Sequence, residues 1–101
     1  MNTNLPENYP SNLKTLADVK RFWAQRLTDM KSGKENDAVI AGYMTGVVNN
    51  DNFDKWNDES ESFSHIFELV AGLEVPSGTP EQRQKEWREV EKELDAFSPL
   101  A

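Results

Sequence analysis

Residues 49–67, NNDNFDKWNDESESFSHIF, hold the residue types that could support metal or hydrolytic chemistry. They bring together a tryptophan, the chain's only histidine, His65, and five carboxylates. A calcium loop of the EF-hand type takes oxygen ligands at alternate positions of a loop of about 12 residues and a bidentate glutamate at its end. Laid on this stretch, that pattern would use Asn50, Asn52, Asp54, the carbonyl of Trp56, Asp58 and Glu61.

The match to a calcium loop fails where the motif is strictest. Its first ligand is normally aspartate and its sixth residue is normally glycine, which allows the sharp turn. This chain has Asn50 and Lys55 at those places. We therefore predict no metal site here and interpret the stretch as a polar connection that ends in a helix cap.

His65 could also suggest hydrolytic chemistry, because Glu61, Ser62 and Ser64 lie close to it in the sequence. In a helix, however, consecutive side chains point about 100° apart, so a nucleophile, a base and an oxyanion hole cannot converge within one turn. We predict a helical Glu61/His65 pair on the surface, no catalytic residue, no cofactor and no enzyme activity. A weak metal-dependent or hydrolytic enzyme centred on His65 stays open as an alternative.

Phe53 and Trp56 lie within the acidic stretch and belong to no helical apolar stripe. Either these rings fold back over the core or they remain exposed, and exposed aromatics among acids are typical of the centre of a protein-binding patch. The binding residues that we predict are Asp51, Phe53, Asp54, Trp56, Asp58, Glu59 and Glu61.

The net charge of −7 is unevenly distributed, which indicates the class of partner. Residues 1–34 have six bases and three acids (+3), residues 35–80 one base and nine acids (−8), and residues 81–101 four bases and six acids (−2). A field of this sign repels nucleic acid phosphates and anionic lipid and attracts a basic protein. We therefore expect a basic partner protein, no nucleic acid and no membrane, and the oligomeric state stays open.

The function that these residues favour is a small acidic, non-enzymatic interaction domain. Small bacterial inhibitors and immunity-type proteins that neutralise toxic nucleases work in this way, an analogy of type rather than of sequence. Two other interpretations stay open. The acids could serve only solubility, or the chain could be a regulatory or ligand-sensing domain with a cavity beside a strip of small residues, Ala38, Gly42 and Gly46.

A chain of 101 residues fits one domain, which we place at residues 15–101 behind an irregular N-terminal arm, residues 1–14. The absence of cysteine excludes disulfides and thiolate metal sites. No apolar run approaches the roughly 20 residues that cross a bilayer, and MNTNLPENYP lacks the features of a signal peptide. A cytoplasmic location is the expectation.

Apolar residues at helical spacing predict an all-α bundle of about four helices, roughly 16–31, 36–49, 59–72 and 80–96. Thr15 with Asp18, and Thr79 with Gln82, form capping boxes that start the first and last helices. Residues 38–48 are ambiguous, and a strand there would make the fold α+β. The predicted core is Trp23, Leu27, Ile40, Met44, Phe63, Phe67, Val70, Trp87, Val90 and Leu94.

Overall fold

The first and last helices begin where their side chains satisfy free backbone N–H groups. In the computed structural model, which describes residues 10–98, α1 spans Leu16–Lys31 and α5 spans Pro80–Ala96. Thr15 and Thr79 each accept a hydrogen bond from the backbone N–H three residues on, and a side-chain oxygen of Asp18 or Gln82 accepts the backbone N–H of the threonine. The predicted bounds of both helices are confirmed, because capping boxes are local signals.

Residues 38–48 are helical, so the all-α prediction is confirmed and the α+β alternative is wrong. Helix α2 spans Asp37–Thr45, starts at the Asn36 cap and continues into a 3₁₀ turn, Gly46–Asn49. Within residues 10–98 there is no strand. No open space lies beside the small-residue strip at Gly46. A Cβ atom added to this glycine would lie 3.1 Å from the ring of Pro10.

The third predicted helix, 59–72, is present within about two residues of its predicted bounds, and a further short helix that was not predicted precedes it. Helix α3 spans Phe53–Glu59 and α4 spans Glu61–Leu73. Ser60 separates them in an extended conformation, and its hydroxyl accepts the N–H of Phe63 at 3.1 Å. The stretch interpreted as a polar connection is therefore largely helical, and Ser60 caps the helix that follows.

The core is centred on Trp23, which is fully buried. Its indole Nε1 donates to the carbonyl of Met44 at 3.0 Å, so its one polar atom is satisfied. Its ring stacks on Phe63 with a centroid separation of 5.3 Å, which ties α1 to α4. Of the ten predicted core residues, nine are buried and Phe67 is partly buried against them.

The N-terminal segment is described only from Pro10 onward, so the structure does not bear on the rest of the predicted arm. Residues Pro10–Asn12 form one 3₁₀ turn, and Leu13 is buried. The side-chain amide of Asn50 donates to the carbonyls of Pro10 and Leu13 at 2.7 and 2.8 Å. This side chain holds the segment against the turn that follows α2.

Arg83 closes the connection between α4 and α5. Its guanidinium donates to the carbonyls of Leu73, Val75 and Ser77 at 2.6, 2.8 and 3.1 Å. Its Nε donates to the carboxylate of Asp37 at 2.6 Å, which joins this connection to the start of α2. The carbonyls at the end of a helix lack partners within it, so the guanidinium satisfies the carbonyl of Leu73 at the end of α4 and also binds two carbonyls of the connection.

Asp37 also couples stability to pH. Burial raises its pKa, but hydrogen bonds from Arg83 and Trp87 and the charge of Arg83 outweigh burial and hold the pKa below the ordinary 3.8. A carboxyl with a lowered pKa contributes stability above its unfolded pKa, and that stability is lost as pH falls through the folded pKa. In Asp37→Asn, the free energy of unfolding should be lower at neutral pH and should decline less below about pH 4.

Urea unfolding of both proteins over a series of pH values measures this difference. The remaining acid dependence should include Asp18, whose pKa is lowered first of all by its hydrogen bond from the backbone N–H of Lys14. An acid limb that is identical in the two proteins would contradict a stabilising role for the ionised Asp37.

Candidate protein-binding surface

Helix α3 presents one face to the core and the other to solvent. Its inner face holds Phe53 and Trp56, three residues apart and therefore on the same side of the helix. Trp56 is 3% exposed and packs edge-on against Phe63, with ring centroids 5.8 Å apart. Phe53 is partly buried. Its ring packs edge-on against Phe63 and Phe67, with centroid separations of 5.7 and 5.0 Å.

This packing corrects the expectation that an uncovered aromatic ring lies among the acids. Both rings fold back over the core, which was the other alternative. Trp56 therefore anchors α3 to the core and is not accessible to a partner in this conformation. Phe53 keeps part of its ring accessible at the border of the surface. The physical reason is that both rings gain burial and edge-on contacts with Phe63, which favour the conformation that turns them toward the core.

The outer face of α3 and its flanks hold the predicted carboxylates, and all five are exposed: Asp51, Asp54, Asp58, Glu59 and Glu61. We call this set the acidic surface. Asp54 and Asp58 are four residues apart on one helix, so their side chains are neighbours about 5–6 Å apart at Cβ. Asp51 precedes Asp54 by three residues, just before the helix begins.

The acidic surface is electrostatically uncompensated. The ion pairs between described residues involve Asp18, Asp29, Asp37 and Glu91, with bases from α1, its following turn and α5. None of them includes a carboxylate of the acidic surface. Lys55 is the only lysine or arginine between residues 35 and 80. The negative field of this region is therefore directed at solvent.

The structure does not arrange the oxygens of this stretch as a calcium loop. Asn50, its first ligand, is 6% exposed and holds the N-terminal segment, while its Oδ1 accepts the N–H of Asn52 at 2.8 Å. The carbonyl of Trp56 accepts the N–H of Ser60 at 2.9 Å within the helical bonding pattern. Oxygens along a helix diverge, so these groups do not converge on one ion.

His65 is exposed on α4, and its local serines do not form a hydrolytic arrangement with it. The Ser64 hydroxyl contacts the backbone and side-chain oxygens of Asn57, at 2.9 and 2.6 Å. Between residues 10 and 98, no hydrogen bond connects His65 to a serine. The structure instead places His65 beside Glu89 and Glu93 of α5. Sequence reasoning missed this group, for which the spacing of the two glutamates was the only signal.

Helices α4 and α5 also border a cleft of about 600 Å³. Its walls include Leu69 and Gly72 from α4 and Gln82, Arg83 and Glu89 from α5. The ligand-sensing alternative placed a cavity beside the strip of Ala38, Gly42 and Gly46, and none of these residues lines this cleft. The cleft lies next to the group of His65, Glu89 and Glu93, which we call the His65 group, since Glu89 belongs to both.

Within the part of the chain that the structure describes, no helix has the length and apolar character needed to cross a membrane. Comparisons of the chain with protein families, with curated proteins and with solved structures give no match.

Proposed function

We propose that this protein is a non-enzymatic interaction domain that docks a basic partner protein through the acidic surface. The observation that carries the proposal is the exposure of all five carboxylates without an ion-pair partner among the described residues. Small bacterial inhibitors and immunity-type proteins are the class of molecule that such a surface favours. Phe53 contributes an apolar contact at its border.

A rigid acidic surface acts on the encounter with a partner in two ways. Its field accelerates association with lysine- and arginine-rich surfaces and disfavours acidic competitors. Because Trp56 anchors α3 to the core, the carboxylates are held in place before binding, so less side-chain and backbone freedom is lost in the complex. The backbone that carries the charges is thus part of the binding mechanism.

Neutralising three carboxylates should remove the partner without weakening the fold. In the triple variant Asp51→Asn, Asp54→Asn and Asp58→Asn, affinity for a basic protein captured from the native host should fall at least tenfold, and the melting temperature should stay within about 3 °C. Calorimetric titration and thermal unfolding measure these two quantities.

The matched control is Glu35→Gln, Glu86→Gln and Asp95→Asn, three exposed residues outside the acidic surface. Each triple variant changes the net charge from −7 to −4, because three of the 18 acids are neutralised. The control should keep the affinity of the wild type. Equal losses in both variants, or failure of the wild type to retain any protein that the first variant releases, would contradict the proposal.

A further inference from the structure

We propose that His65, Glu89 and Glu93 form a binding site for a divalent transition metal ion, with zinc as the representative ion. The site lies between α4 and α5, outside the acidic surface, and it does not depend on the proposed function. One ring nitrogen of His65 and one carboxylate oxygen from each glutamate lie within 4.8 Å of one another.

The arrangement is brought about by two packed helices. Glu89 and Glu93 are four residues apart on α5, so both side chains project from the same face. Helix α4 packs against this helix and supplies His65 from its exposed side. Arg83 also ties the start of α5 to the end of α4 through its bonds to the carbonyls of Leu73 and Val75.

The donor set selects for a class of ion. A neutral imidazole nitrogen suits zinc, copper, nickel and iron, whereas calcium and magnesium take oxygen ligands. Zinc sites with three protein ligands leave the fourth tetrahedral position for water. Bonds of about 2.1 Å place tetrahedral ligands roughly 3.4 Å apart, so movement of each side chain by about 1 Å brings the three donors into range.

Two further observations support a metal-binding role for this group. The chain's single histidine lies near two carboxylates from another helix, and these glutamates take part in none of the ion pairs between described residues, so they are available to a ligand. Glu89 also lines the cleft of about 600 Å³, which gives a bound ion an open approach and room for a water ligand.

The test uses the full chain without an affinity tag, titrated with zinc chloride in a calorimeter and unfolded thermally with and without zinc. We expect one zinc ion per chain. At a free zinc concentration of about one hundred times the dissociation constant, the melting temperature should rise by roughly 10 °C. His65→Ala, Glu89→Gln and Glu93→Gln should each weaken binding at least tenfold, while magnesium should produce neither effect.

Glu86→Gln is the matched control, since it removes an exposed carboxylate from the same helix and should leave zinc affinity unchanged. Visible absorption of the cobalt-loaded wild type should show tetrahedral coordination that His65→Ala loses, and circular dichroism checks that each variant folds. Absence of zinc binding, binding that survives His65→Ala, or equal loss in Glu86→Gln would overturn the proposal.

Discussion

Replacing Trp56 with alanine is expected to lower the free energy of unfolding by about 3–5 kcal/mol. The ring is 3% exposed and contacts Phe63, so its removal leaves a cavity in the core and detaches α3. A helix of seven residues is too short to be stable without packing, so the loss of this ring removes its main support. Urea unfolding followed by far-UV circular dichroism measures the change.

Asp54→Asn on the same helix is the control for Trp56→Ala. This side chain is exposed, and its replacement should change the free energy of unfolding by no more than about 0.5 kcal/mol. The comparison separates the inner from the outer face of α3. A loss below about 1 kcal/mol for Trp56→Ala would place the ring outside the core and restore its role as an exposed binding anchor.

Arg83→Met is expected to cost about 2–3 kcal/mol, because it removes several charge-assisted hydrogen bonds at once. Three carbonyls at the α4–α5 connection and the carboxylate of Asp37 lose a donor. The guanidinium side chain is 13% exposed and that of Asp37 is 32% exposed, so water compensates only in part. The methionine retains much of the apolar stem, which isolates the loss of the polar head.

Arg88→Met provides the comparison for Arg83→Met, since Arg88 is exposed on the same helix. Its replacement should change stability by about 0.5 kcal/mol or less in the same urea experiment. Arg83→Lys should recover little, because an ammonium group cannot reach the several acceptors that the planar guanidinium fork serves together. Equal effects at Arg83 and Arg88 would contradict the role given to the Arg83 hydrogen bonds.

The parts of the fold that local signals specify could be predicted from the sequence. Capping boxes at Thr15 and Thr79 mark helix starts, and long apolar stripes mark the faces of α1, α4 and α5. Helix α3 was missed because seven residues offer only two apolar positions, Phe53 and Trp56, amid residues that favour turns. Its helical conformation depends on burial against Phe63, which is a tertiary contact.

In the candidate sites, too, the features that depend on local sequence could be predicted and those that depend on tertiary contacts could not. Exposure of the carboxylates could be predicted because charged side chains are costly to bury. The position of Trp56 could not, since its partner Phe63 belongs to another helix and no apolar stripe includes the tryptophan. The His65 group was missed because Glu89 and Glu93 lie on a different helix, and only folding brings them to the histidine.

Photo-crosslinking from within the acidic surface tests the central claim most directly. Lys55 on α3 and Arg88 on α5 are both exposed bases, so replacing either with p-benzoylphenylalanine removes one positive charge and adds the same probe. After irradiation with the basic partner, the probe at position 55 should form a covalent complex that the probe at position 88 does not. A complex formed equally from both positions, or only from position 88, would contradict docking on the acidic surface.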